Sequence, residues 1–581
     1  MDDLITRRSL QWLLLAQAAT GAALVLHLPF WLSGLWLFCA LWRVQIYRQR
    51  LPFPPVLLKV LLMALSIAGI GWSLGASFTL DSAVTLLACA FVLKLIELQT
   101  TRDARVLIVL GLFCVGASFL FGDSLLNALY SLVPIILWLV AMQVMQSAQR
   151  TGFNAKDELR LSAMLVLQAL PLMLVLFVAF PRFGPLWSLP KANDSGITGL
   201  SDRMSPGDIA ELSQSGALAF RVQFKGEVPR HDQLYWRALT FDHYDGRSWS
   251  QAYGGTSAQE PRWHARGKPL QYRVLMQPTQ QPWLFVLDTA EVPMGEARLM
   301  SDFRVQRRRP IRQTLEYEML SWPDATRQAQ DELQGVQALL QLPAGNPKSR
   351  AWATQLRQQY QTPNAIAEAM LTHFRQQDYH YTLKPKPLGN QRVDDFLFDT
   401  HSGFCAHYAG AMTFVLRAAG IPARVVVGYQ GGEINTEGHY VSVHQFDAHA
   451  WVEYWQKGVG WRSVDPTAAV APERVEAGLE RALAGKEAFL DKEPLSLLRY
   501  RHVEWLNQMR MRWDSLNYSW QRWVLGYQGD VQKSFLQRLF TPSEWPIEAW
   551  YGVVFGVVVC LIEYVIKLLR KARVAPLVRT L

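Results

Sequence analysis

The feature that most constrains this chain is a series of apolar runs punctuated by arginine and lysine. The runs fall at roughly 10–27, 30–46, 56–77, 82–98, 106–121, 125–146 and 162–180, with one more at 547–566. Several approach the ~20 residues a helix needs to cross a bilayer. Residues 183–545 read instead as globular chain. Basic residues mark alternate loops. Arg7 and Arg8 precede the first run, and Arg43, Arg48 and Arg50 follow the second. Arg102 and Arg105 lie between the fourth and fifth runs, and Arg150, Lys156 and Arg160 between the sixth and seventh. Lys567, Arg570, Lys571 and Arg573 follow the last. The intervening stretches His27–Pro29, Ser77–Ser82 and Gly122–Ser124 carry neither Lys nor Arg. Seven spans, a large outside domain and one closing span put every basic cluster on one side, which the positive-inside rule makes cytoplasmic. The runs at 10–27, 30–46 and 106–121 are short, so five spans before residue 183 is the alternative. The outside placement requires an odd number. With apolar runs following one another and no small-residue cleavage site, a cleaved signal peptide is not expected. The net charge of +10 is accounted for by this topology, and no nucleic-acid motif accompanies it.

Cysteine usage points the same way. Cys39, Cys89, Cys114 and Cys560 lie within apolar runs, where a thiol is a small hydrophobe. Only Cys405 lies in the globular part. Outside the cytoplasm paired cysteines form disulfides, so a single unpaired thiol there calls for a chemical role.

The globular part divides by pattern. From 183 to 323 it is β-rich, with alternating runs at Ala219–Phe224, Tyr272–Met276 and Trp283–Leu287 separated by Gly, Pro and Asp turns. From 324 to 475 helices and strands mix. Thr362-Pro363 reads as an N-cap with Pro at the first helical position, placing Ile366, Met370 and Phe374 on one face. Cys405–Ala419 is a small, apolar helix pattern stopped by Gly420 and Pro422. Strands follow at 423–429, 440–454 and 460–464, most simply as antiparallel neighbours. The tract Gly431–Tyr440 is placed to border a cleft. From 476 to 546 the chain is helical, and 547–567 is the closing span. In this tail Trp505, Met509, Trp513, Leu516, Trp520 and Trp523 line one helical stripe. The stripe reads either as core packing or, with Arg499, Arg501, Arg510 and Arg522 nearby, as an interfacial helix on a membrane surface.

One constellation carries chemistry. Cys405 opens a helix after Gly403, where unpaired N–H groups and the helix dipole favour a thiolate and can form part of an oxyanion hole. In the second strand Asp447, His449, Trp451 and Glu453 share one face by period two. Asp465 ends the next strand before Pro466, within reach of His449 Nδ1 across neighbouring strands, where it would fix the tautomer and stabilise imidazolium. Trp451, Trp455 and Trp461 either pack the sheet or lie where they would keep water from a thioester. His407, two residues after Cys405 on the helix, points away from it. His401, Cys405, His407, His439, His444, Asp447 and His449 crowd this region without Cys-x-x-Cys or His-Glu-x-x-His spacing, so no metal or other cofactor is expected.

Gly403-Phe-Cys-Ala-His-Tyr-Ala409, Asp447-Ala-His-Ala-Trp-Val-Glu453 and Trp461-Arg-Ser-Val-Asp-Pro-Thr467 resemble, in order and spacing, the three signature blocks of the transglutaminase-like (papain-like) superfamily. The whole arrangement, with the upstream Tyr235-Trp-Arg-Ala238 and Asp245-Gly-Arg-Ser-Trp249 and one closing span, resembles bacterial inner-membrane members. The resemblance implies a multi-domain protein: a helical transmembrane bundle (1–182), a β-rich domain (183–323), an α+β papain-like core (324–475) and a helical tail. It implies Cys405 as nucleophile, His449 as general base and acid, and Asp465 as the orienting acid. The implied activity is acyl transfer from a glutamine or peptide amide to an amine in the cell envelope. A protease or deamidase using the same triad, or a non-catalytic scaffold, is the alternative. Many superfamily members carry Glu after the Cys, where this chain has Ala406. Tyr379 and Tyr381 precede the Cys where animal transglutaminases place a Trp near the oxyanion, without an assignable role.

Overall fold

The structure is a computed structural model. It describes residues 5–527 apart from short segments, the longest being 147–153, 181–198 and 252–259, and only isolated positions beyond 527. The closing span expected at 547–567 therefore lies outside the described residues but for Gly552, Gly556 and Glu563, as do residues 528–546 but for Gln532 and Phe535. The chain forms two compact units, Met1–Asp194 with Leu516–Leu581, and Ser195–Ser515.

In the first unit helices α1 (Arg7–Leu24), α2 (Phe30–Tyr47), α3 (Val56–Leu74), α4 (Leu80–Glu97), α5 (Thr101–Ser118), α6 (Leu125–Gln146) and α7 (Ala155–Ala179) fall on the apolar runs. Of these α3, α6 and α7 are long and apolar enough to cross a membrane. Capping boxes at Thr79/Ser82 and Thr100/Asp103 satisfy orphan N–H groups at the starts of α4 and α5. Cys39, Cys89 and Cys114 are buried among helices, as expected of small hydrophobes. The Trp138 indole N–H donates to the Thr20 hydroxyl at 2.9 Å, a buried polar tie between α6 and α1.

The second unit is built on two antiparallel sheets. Its principal strands are β1 (Leu218–Phe224), β2 (Tyr235–Phe241), β3 (Leu270–Met276), β4 (Val286–Leu287), β5 (Ala290–Glu291), β6 (Leu315–Ser321), β7 (His380–Tyr381), β8 (Ser402–Gly403), β9 (Ala423–Gln430), β10 (Glu433–Asn435), β11 (Tyr440–His444), β12 (Ala448–Gln456) and β13 (Gly460–Val464). One sheet runs β5-β6-β3-β1-β11-β10 and the other β13-β12-β9-β2-β4. Both therefore mix strands from before and after residue 324. The β-rich stretch is not a separate layer: β2 pairs with β9, and β1 with β11. The expected neighbours β9, β12 and β13 do pair antiparallel.

The strand expected over 440–454 is two strands in two sheets. Asp447 accepts the His444 backbone N–H at 2.9 Å and closes a 3₁₀ turn over Gln445–Asp447. This local side-chain bond competes with the ladder and breaks it. Asp447 consequently lies off the face it was expected to share with His449.

Helix α8 (Pro363–Gln376) starts as expected. Thr362 Oγ1 accepts the Ala365 N–H at 3.2 Å, and Ile366, Met370 and Phe374 are buried. Helix α9 (Cys405–Ala418) lies against β12 and is buried along nearly its full length. It ends in a Schellman arrangement: Gly420 takes a φ of 78°, and the Ile421 N–H donates to the Leu416 carbonyl at 2.9 Å.

Glu453, expected to share a strand face with His449, is fully buried. Its carboxylate pairs with Arg237, Arg327 and Arg424. Burial opposes its charge, but the three guanidiniums hold its carboxyl well below the usual carboxylate range. Arg237 lies on β2 and Arg424 on β9, so the cluster ties the upstream strands to the core. Glu453→Ala removes the carboxylate that the three arginines share, leaving Asp288 beside Arg237 and Arg327, and is expected to destabilise this unit by about 3–5 kcal/mol. Denaturant unfolding measures it; a loss under about 1 kcal/mol would contradict the account.

Candidate active site

Cys405 is the first residue of α9 and is fully buried. The approach to it is fixed by a short parallel pair in which Tyr381 of β7 lies beside Gly403 of β8. A Cβ at Gly403 would stand 2.8 Å from the His407 Cβ and 2.9 Å from the Phe396 ring, so the glycine is required by close packing.

His449 lies on β12 opposite Gly428 of β9. A side chain at Gly428 would collide with the Trp236 carbonyl, 1.8 Å from the added Cβ. This glycine lets β2 come close and sets the register that carries Tyr235 to the site. Asp465 follows β13, and Asp465 Oδ2 meets His449 Nε2 at 2.7 Å. The structure thus uses Nε2 for the carboxylate, where the sequence reading expected Nδ1. His449 Nδ1 is buried and makes no hydrogen bond of ordinary geometry. It is the nitrogen left for the Cys405 thiol, which interacts with the imidazole. Burial opposes charge on His449, but Asp465 and then Cys405 outweigh it and raise its pKa to about 9. Burial likewise opposes charge on Asp465. The imidazolium, the Tyr235 hydroxyl and the Thr467 N–H overcome it and hold the carboxyl below its ordinary value. The Tyr235 hydroxyl donates to Asp465 Oδ2 at 2.8 Å and the Thr467 N–H to Oδ1 at 2.9 Å.

Three further residues surround these groups. Tyr235 is held protonated by burial and by the adjacent Asp465, so it serves as a donor. Tyr381 is buried beside Cys405 and Arg474. Arg474 is fully buried and donates to Gln430 Oε1 at 3.1 Å and to the Asp447 and Ala448 carbonyls at 3.2 and 3.3 Å. Burial disfavours its charge, and Tyr381, Asp447 and Cys405 around it more than compensate. Sequence reasoning named Tyr381 without a role and missed Tyr235 and Arg474. Tyr235 opens the upstream Tyr-Trp-Arg-Ala motif, the one signal that pointed to it.

Of the other expected neighbours, Trp451 lies at the site and Trp455 and Trp461 lie elsewhere. Trp451 is beside the site, its ring 6.4 Å from that of His449 and 5.3 Å from that of Tyr235. Trp455 and Trp461 instead donate to the Gln328 carbonyl and side chain and pack with Phe303 and Leu339. His407 does turn aside. Its Nδ1 accepts the Phe404 N–H at 3.4 Å, and burial, with Arg392 nearby, pushes its pKa down to about 4. The Gly431–Tyr440 tract forms the β10–β11 hairpin.

The His449–Asp465 pair has a pH signature. Its folded-state pKa of about 9 exceeds the ordinary 6.5 of a free imidazole. The stabilisation it supplies is complete below about pH 6.5 and is lost as pH rises through about 9. Asp465→Asn is therefore expected to lower Tm by several degrees at pH 6 and by much less at pH 10. Paired thermal melts measure it; a gap that stays constant or widens with pH would contradict the pairing.

The TgpA N-terminal domain model matches residues 12–328, and the transglutaminase-like superfamily model matches 350–466. A protein-glutamine gamma-glutamyltransferase of Pseudomonas aeruginosa is 54% identical over 539 residues, covering 92% of this chain and 80% of that protein. The uncharacterized protein YebA of Bacillus subtilis is 27% identical over 344 residues, covering 50% of this chain and 45% of that protein. The crystal structure of the periplasmic domain of TgpA from Pseudomonas aeruginosa is 58% identical, covering 49% of this chain and 99% of that one, with a TM-score of 0.48. On the extent of these sequence matches, the chain belongs to the TgpA family of transglutaminase-like proteins.

Proposed function

We propose that the chain is a membrane-anchored cysteine acyltransferase of transglutaminase type, facing the periplasm, with Cys405, His449 and Asp465 as its triad. The observation that carries this reading is the buried His449, bonded through Nε2 to Asp465 at 2.7 Å with Nδ1 left toward the thiol that opens α9. Cys405 Sγ attacks the carboxamide carbon of a glutamine donor while backbone N–H groups at the helix start receive the oxyanion. His449 passes a proton to the departing ammonia, leaving a thioester. An amine acceptor then attacks the thioester; His449 takes its proton and returns it to sulfur as the new amide forms. Asp465, itself held by Tyr235 and Thr467, keeps the imidazole oriented and balances its charge. The name of the Pseudomonas relative supports glutamine as donor. The alternation of basic loops supports the bacterial inner membrane, multi-pass anchoring and a periplasmic catalytic domain. Trp451, its ring beside that of His449, would keep water from the thioester and supports an amine as acceptor.

The test incubates the detergent-solubilised chain with a glutamine-containing protein and a labelled primary amine, and follows the products by mass spectrometry. Amine incorporation that requires Cys405 is expected. A Cys405-dependent gain of only about one dalton would mean transfer to water, and backbone cleavage would mean a protease.

A further inference from the structure

The helix α10 (Glu504–Trp520) is docked inside out. Its polar side faces protein: Asp514 pairs with Arg221 of β1 and accepts the Tyr440 hydroxyl at 2.6 Å, Arg510 pairs with Glu433, and Asn435 donates to the Met511 carbonyl at 3.0 Å. At about 100° per residue these positions share one side; Trp505 and Met509 lie across the helix from it, with Trp513 at the edge of that stripe. Those three are 64, 61 and 40% exposed. A helix made for water turns its apolar stripe inward. Here the ion pairs hold the polar face down and leave the stripe open, which marks an interaction surface.

Three observations name the occupant as lipid. The exposure matches that of the membrane-length helices, where Leu57 of α3 and Leu167 of α7 are 80 and 64% exposed. The stripe is Trp and Met bordered by Arg512, whose side chain is 70% exposed and meets Glu437 only at 3.5 Å; this suits an anionic headgroup layer. In the sequence, residues 521–546 lead from this helix to the apolar run at 547–566.

We propose that α10 is an interfacial helix, lying in the headgroup layer with Trp505, Met509 and Trp513 toward the acyl chains, while Asp514 and Arg510 clamp it to the Ser195–Ser515 unit. The proposal rests on the membrane-anchored reading and not on the triad. It confines acyl donors and acceptors to those within reach of the bilayer surface.

The experiment uses the full chain with all five cysteines replaced by Ala, in nanodiscs of phosphatidylcholine and phosphatidylglycerol. A nitroxide is placed at Met509→Cys or, as control, at Arg462→Cys, an exposed strand position. Collision with oxygen relative to a water-soluble nickel chelate is expected to be at least about fivefold higher at 509, because the label sits in the interface. Trp505→Gln with Trp513→Gln is expected to reduce that ratio while label mobility at 462 is unchanged. Equal ratios at 509 and 462 would overturn the proposal. So would exclusion of both reagents from 509, with dipolar broadening identifying a second copy as the occupant. No catalysis is measured, so failure of the triad leaves this result intact.

Discussion

Replacing Cys405 with Ala is expected to lower amine incorporation by at least about 10⁴-fold, because the triad loses the atom that forms the thioester. The chain should nevertheless fold. The substitution removes one sulfur from a fully buried position on a helix whose other contacts remain. The unfolding midpoint should change by no more than a cavity of that size predicts, about 1 kcal/mol. Initial rates and denaturant unfolding on the same preparations separate the two effects. Retention of more than a tenth of the activity would remove Cys405 from the reaction.

His449→Ala is expected to cost about as much, and the Cys405→Ala/His449→Ala double variant no more than either alone, since the groups act as a unit. Without the imidazole the thiol loses its proton acceptor and the leaving ammonia its donor. Asp465→Ala should cost less. The imidazole stays on β12, between Trp451 and Tyr235, and loses the carboxylate that fixes its orientation and charge. Single-turnover rates across these variants measure the ordering. A loss at His449 of under about tenfold, or losses that multiply, would mean that His449 acts outside the chemical step.

What was legible in the sequence is what is local. The three blocks around Cys405, His449 and Asp465 are short and ordered, and the structure brings them together. The end of α9 was legible because Gly420 and Pro422 are a stop signal whatever surrounds them. The start of α8 was legible in the same way from Thr362-Pro363. Long-range features were not. Tyr235 reaches Asp465 from 230 positions away in the chain, through a register that depends on Gly428 lacking a side chain. A lone glycine in a Val-rich strand signals close backbone approach but not which strand approaches. The break at Gln445–Asp447 shows in the sequence only as a shift of phase, from Val441 and Val443 to Phe446, Ala448, Ala450 and Val452, and the turn of Asp447 back onto the His444 N–H makes it. The ring nitrogen that meets Asp465 is set by the orientation of a side chain, and spacing does not encode it. The stripe from Trp505 to Trp523 was readable as amphipathic; only the ion pairs of Asp514 and Arg510 decide which face is open.

The central claim is that a glutamine carboxamide is taken up by Cys405 and not elsewhere. Acid-quenched incubation of the intact chain with a glutamine peptide and no added amine, followed by digestion and mass spectrometry, tests it directly. The account predicts that the peptide containing Cys405 gains the mass of the donor less ammonia. It predicts that hydroxylamine removes this adduct, as it does a thioester, and that the adduct accumulates neither in Cys405→Ala nor in His449→Ala. An adduct on another residue, or donor turnover that continues in Cys405→Ala, would contradict it.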